Sequence, residues 1–104
     1  MRTLKFLVNG QLIRYDPECD FSGIVSGTEG YLQAEFNFSE DWDDCIKIAR
    51  FWRGNEEHAV FIENDKCDIP SEVLNNKTFR VSVIGKKEKF LITTNAALVR
   101  QEVI

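Results

Sequence analysis

Histidine occurs once in this chain, as His58, and no two cysteines stand in a C-x-x-C pair. A structural zinc site needs four ligands, usually in two close pairs. Cys19, Cys45 and Cys67 are an odd set at wide spacing, so they read as small, reduced, buried or half-buried thiols. No serine or cysteine sits in a nucleophile elbow that His58 would serve, and His58 reads as a surface residue on a strand. The glycines of Ser26-Gly-Thr-Glu-Gly lack the G-x-x-x-x-G-K pattern of a phosphate cradle. No stretch approaches the roughly 20 apolar residues of a membrane helix, and the first residues hold no apolar run of signal-peptide length. Synthesis in a reducing cytoplasm is the expectation, without membrane association. Lysine and arginine are scattered, apart from Lys86, Lys87 and Lys89, and the net charge is −4. That balance disfavours direct binding to nucleic acid phosphates.

What the chain does have is aromatic mass: eight phenylalanines and two tryptophans in 104 residues, enough for one domain with an aromatic core. Leu32, Ala34, Phe36 and Phe38 alternate with Gln33, Glu35 and Asn37, the period of a half-buried strand. Phe79, Val81 and Val83 alternate with Arg80 and Ser82 in the same way. Further strands are predicted at residues 3–8, 11–15, 46–53, 57–63, 90–94 and 97–103, with a short one at 24–26 inside a loop of residues 16–30. Asn9-Gly10 suits a type I′ hairpin turn. Residues 85–87 read as another turn, and Pro70 with a capping Ser71 predicts one helical turn over 71–74. Residues 46–53 (Ile-Lys-Ile-Ala-Arg-Phe-Trp-Arg) stand apart because both faces carry large apolar groups. Seven or eight short strands with turn signals about every ten residues predict an all-β domain over residues 1–104. The predicted architecture is an antiparallel β-sandwich or flattened barrel. Its expected core is Phe6, Leu32, Phe36, Phe38, Phe79, Val81, Val83 and Ile92.

The one concentrated polar feature is Glu40, Asp41, Asp43 and Asp44 around Trp42. A helix–loop–helix calcium site needs a central glycine and a distal glutamate, both missing here. Catalytic carboxylates must face each other across a substrate, which adjacent acids in one turn seldom do. Two readings remain: a solvated acidic turn whose tryptophan covers the end of the core, or a protein-docking patch. Trp52, between Phe51 and Arg53 with Arg50 nearby, is either a core residue or an interface anchor of the kind hot spots favour. The candidate protein-binding residues are therefore Glu40, Asp41, Trp42, Asp43, Asp44 and Trp52. No catalytic constellation emerges, and a non-enzymatic protein without cofactor or metal is expected.

The run Tyr31-Leu-x-Ala-x-Phe-x-Phe-Ser-x-Asp-Trp42 is followed in order by Lys47-x-Ala-x-Phe51, Cys67-x-Ile-Pro-Ser-Glu-Val-Leu74, Phe79-x-Val-Ser-Val-x-Gly85 and Ile92-Thr-Thr-Asn95. This series, spanning about residues 30 to 95, resembles a group of small proteins encoded by phages and prophages of Gram-positive bacteria. At the level of fold it also resembles the N-terminal β-sandwich of baseplate upper and tail-fibre proteins. The resemblance implies a structural or accessory virion role exercised by protein–protein contact. It implies a tail or baseplate component as partner, a homo-oligomer, and a location in the bacterial host cytoplasm during synthesis and then in the virion. It transfers no catalytic residue. A short, acidic chain without catalytic motifs equally fits a phage-encoded inhibitor of a host defence protein such as an RNA-guided nuclease.

Overall fold

Period-two patterning dominates the chain, and the backbone follows it. A computed structural model describes residues 1–103. Among the described residues nine strands form two packed sheets, the β-sandwich class expected, and these sheets do not close into a barrel. The first sheet contains β1 (Arg2–Asn9), β2 (Leu12–Tyr15), β3 (Leu32–Phe38) and β6 (Lys66–Asp68), in the order β2-β1-β3-β6. The second contains β4 (Ile46–Arg53), β5 (Glu56–Phe61), β7 (Thr78–Lys87), β8 (Phe90–Thr93) and β9 (Ala97–Arg100). Its order is β5-β4-β7, with β8 and β9 sharing the far edge of β7.

The pairing is not antiparallel throughout. β1 and β3 run parallel over seven residue pairs, from Arg2↔Leu32 to Val8↔Phe38. A parallel pair needs a long connection, and residues 16–31 with the β2 hairpin supply it. Arg2 anchors that return: its N–H donates to the Tyr31 carbonyl, and its guanidinium donates to the carbonyls of Asp20, Ser22 and Gly23. The strand predicted at 24–26 shrinks to a single bridge between Val25 and Glu102, in which the Ser26 N–H donates to the Glu102 carbonyl and the Glu102 N–H to the Ile24 carbonyl.

Three turns also differ from expectation. The β1–β2 loop is Gly10-Gln11, since Asn9 pairs with Leu12. Gly10 has φ +57 while Gln11 stays outside the positive region, the φ signs of a II′ turn rather than I′. Gly85 lies inside β7 and is buried, and the β7–β8 reversal falls at Glu88-Lys89, with Lys87 opposite Phe90. The turn Ser71–Val73 is present after Pro70, but the Ser71 hydroxyl does not cap it; the Leu74 N–H donates to the Ser71 carbonyl. The expected acidic turn is present and takes 3-10 form over Glu40–Trp42.

The core lies between the sheets. Phe6, Leu32, Phe36, Phe79, Val81 and Val83 are buried as expected, whereas Phe38 and Ile92 are half-buried at the margin. Aromatic rings run through the first sheet's inner face from Phe21 to Phe6, Phe36, Phe38 and Trp42, each within 5.2–5.8 Å of the next. Each buried phenylalanine contributes about 1.5–3 kcal/mol through removal from water.

Candidate protein-interaction surface

The acidic turn is held by its own uncharged groups. Ser39 precedes the 3-10 turn, and its Oγ accepts from the Gly10 N–H at 3.0 Å and donates to Asp41 Oδ2 at 3.1 Å. The Trp42 indole Nε1–H donates to the Gly10 carbonyl at 2.9 Å. The ring lies on Gly85, where a Cβ would come within 2.7 Å of Trp42 Cε3 and Cζ3. Trp42 is 0 % exposed. It therefore cannot anchor a partner: the turn exists to insert this ring between β3 and β7, with the indole N–H satisfied by the first hairpin. Glu40, Asp41, Asp43 and Asp44 remain on the surface. Among the described residues no three histidine, cysteine or carboxylate groups converge as a metal site would require.

His58 is half-buried rather than at the surface. It sits opposite Phe51 on the inward side of β5, and its Nε2 has no hydrogen-bond partner among the described residues, with Glu56 at 3.9 Å. Cys67 is buried, and burial pushes its thiol up to about 12; Cys19 and Cys45 are half-buried. All three are free. A cleft of about 330 Å³ opens beside β1 and β3, lined by Lys5, Asp16, Glu35, Asp65 and Lys66 among others. Opposite charges already meet there, as in the Glu35–Lys66 contact at 3.7 Å.

The register of the second sheet brings together what the sequence left separate. Residues paired across adjacent strands share a face. Ala49, Phe51, Val81 and Val83 point into the core, so the alternate residues point outward. Across the outer face, Phe61 of β5 lies beside Ile48 of β4, Ile84 of β7 and Thr93 of β8. One row along, Ile46 lies beside Lys86 and Leu91. Phe61 is 66 % exposed, Ile46 65 % and Leu91 63 %. At the other end, Glu57, Trp52, Arg80 and Leu98 form a further row. Between them, Arg50 donates from Nε to Ser82 Oγ at 3.2 Å and lies 5.7 Å from the Trp52 ring. Trp52 is thus half-buried by its neighbours on the outer face and does not belong to the core.

The outer face of the first sheet shows the contrast. There Thr3 and Gln33 hydrogen-bond to each other at 2.8 Å, and Lys5, Glu35 and Lys66 form one row. A sandwich normally alternates apolar-in and polar-out; the second sheet departs from this on β4, β5, β7 and β8, while the first departs from it at Leu7 and Leu12. An apolar patch of this kind is a candidate interaction surface. Of the predicted binding residues, the structure keeps Trp52 on this face, leaves the four acids on a separate turn, and buries Trp42. The signal in the sequence was β4 itself, apolar on both faces; Phe61, Ile84 and Leu91 needed the register to join it. Comparison of the chain with protein-family models, curated proteins and solved structures finds no match. No helix among the described residues is long and apolar enough to cross a membrane.

Proposed function

We propose that this protein is a non-enzymatic binding module acting through the outer face of the β5-β4-β7-β8 sheet, as a structural or accessory component of a phage tail or baseplate. The observation that carries the binding role is the outward row of exposed Phe61 with half-buried Ile48 and Ile84, and exposed Ile46 and Leu91 and half-buried Trp52 around it. Trp52 bordered by Arg50 and Arg80 has the composition that interface hot spots favour. The phage context rests on the motif series between Tyr31 and Asn95.

Affinity capture from lysogen-induced or infected host cells tests the reading. The tagged protein should retain tail or baseplate proteins, and Phe61→Glu should lose them while the circular dichroism spectrum stays unchanged. Capture of a host defence complex instead would transfer the module to the inhibitor class. Capture that is indifferent to Phe61→Glu would refute this face as the binding surface.

A further inference from the structure

The outward residues of the second sheet carry a charge opposite to that of the chain. Arg50, Arg80, Arg100 and Lys86 stand there against one acid, Glu57, a local excess of positive charge within a chain of net charge −4. The register sets three of these cations in line. Arg100 lies opposite Thr78, Arg80 is the next outward residue of β7, and Arg50 of β4 lies opposite Ser82, the next again. Phe61 of β5 follows one row further on, beside Ile48. The series Arg100, Arg80, Arg50, Phe61 thus crosses the adjacent strands β9, β7, β4 and β5 on one diagonal. With strands about 4.8 Å apart and outward residues about 6.7 Å apart along each, one step is about 8 Å and the whole line about 25 Å.

The arginines on this line are poorly neutralised by the chain itself. Arg80 and Arg100 are exposed and join none of the ion pairs among the described residues. Arg50 meets Glu57 only at 4.0 Å, with both side chains partly in solvent, a pair of little strength. Its Nε–H donates to Ser82 Oγ at 3.2 Å, and its guanidinium lies against the Trp52 ring, 5.7 Å from the centroid. Two anchors therefore hold this planar fork in place, and its terminal N–H groups remain to receive a carboxylate.

We infer that the occupant of the outer face is an acidic, extended polypeptide segment of another protein, with carboxylates on Arg100, Arg80 and Arg50 and an apolar residue against Phe61 and Ile48. This inference rests on the binding-face reading above and names the chemistry of the partner. Side chains on one side of an extended chain recur about every 7 Å, close to the step of the diagonal, so acids at alternate positions reach successive arginines. About eight residues cover the line. A segment of that length needs less area than the contact between two folded domains. Strand addition at the β5 edge does not suit it, since Glu56 and Glu57 stand there and would repel its acids. A single-stranded nucleic acid has a similar charge spacing but needs open aromatic faces for its bases. Here Trp52 is half-buried with Arg50 against its ring, and the path ends at Phe61 beside aliphatic Ile48 and Ile84.

Selection from a library of random peptides, about 12 residues long so as to exceed the line, against the immobilised full chain tests this. Recovered sequences should be enriched in Asp and Glu at alternate positions with Leu, Phe or Trp at one end. A synthetic peptide of the recovered sequence, followed by fluorescence anisotropy, should bind at least about tenfold more weakly to Arg80→Glu and to Arg100→Glu. Replacing its acids by lysine should reverse the preference, so that Arg80→Glu binds it better than the native chain does. Circular dichroism and melting temperature of each variant check that it remains folded. Absence of enrichment, recovery of neutral or basic sequences, or binding indifferent to either arginine substitution overturns the inference. Tighter binding of an oligodeoxythymidylate of about 8 nucleotides, a length within the site size of common single-strand binders, would assign the line to nucleic acid instead. Self-association of the chain in sedimentation velocity that Arg80→Glu abolishes would assign it to a second copy, and either result overturns the inference. If uncharged apolar peptides are recovered and are lost with Phe61→Glu but not with Arg80→Glu, the inference fails while the binding-face reading stands. If neither substitution changes binding, both fail.

Discussion

At the scale of single residues, Gly85 is the position with the least freedom to change. Its missing Cβ is the space that Trp42 occupies, at 2.7 Å from two ring carbons. Gly85→Ala is expected to destabilise by about 1–3 kcal/mol through overpacking, measured by urea denaturation. In a Trp42→Leu background the same substitution should cost markedly less, since the clashing ring is gone; equal costs would show that the two do not meet. Cys67 makes a different prediction. Burial raises its thiol to about 12 against an ordinary 9.0, and the adjacent Asp68 adds to the rise. The folded chain therefore holds a proton that the unfolded chain releases, so stability falls as pH rises from about 9 toward 12. Tyr15, also raised by burial, adds to the fall above its ordinary 10.0. Cys67→Ala should flatten the decline between pH 9 and 10, read from melting temperatures across that range. Neither residue's role was visible in the sequence. An isolated glycine after a strand reads as a turn, and nothing local to Gly85 shows that a tryptophan 43 positions earlier needs the room. Trp42 was read correctly as a lid on the core and also carried among the binding candidates, which its burial excludes.

Among elements, the strands with clean alternation were the legible ones. β3 and β7 were read nearly to their ends because a one-residue slip would expose every apolar side chain. Pairing partners were not legible, since β1 has the same pattern whether its neighbour runs parallel or antiparallel, and only the tethering of residues 16–31 by Arg2 decides. The apolar outer face was half legible: β4 declared two apolar faces, but its alignment with Phe61 and Ile84 depends on the register of three strands. The β7–β8 hairpin illustrates the same limit and supplies a prediction. Its reversal places Glu88 at φ +52, a conformation costly for a side chain with a Cβ. Glu88→Gly is expected to stabilise by about 0.5–1 kcal/mol, less the entropy that glycine adds to the unfolded chain. For a domain of this size that is a rise of a few degrees in melting temperature, and a fall would mean that Glu88 makes a contact outweighing the strain.

For the whole molecule, the decisive feature is how the two sheets meet. Along one side they are joined by Asn95, between β8 and β9. Its Oδ1 accepts from the Ile13 N–H at 2.7 Å and its own N–H donates to the Gln11 carbonyl at 3.0 Å, while Tyr15 Oη donates to the Leu98 carbonyl. Asn95 thus stands in for a neighbouring strand along the free edge of β2, covering backbone groups that would otherwise be unpaired. Asn95→Ala should lower stability by about 1–2 kcal/mol and speed amide exchange at Ile13, while a neutral result would assign closure to the aromatic core alone. The partners in this corner are 82 residues apart in sequence. During synthesis β1, β2 and β3 are complete long before Asn95 leaves the ribosome, so the rim of β2 stays bare through most of elongation. The nascent chain carries a sticky strand that only its own late-made asparagine can mask, and crowded translation of many copies is where mispairing between neighbouring chains would begin.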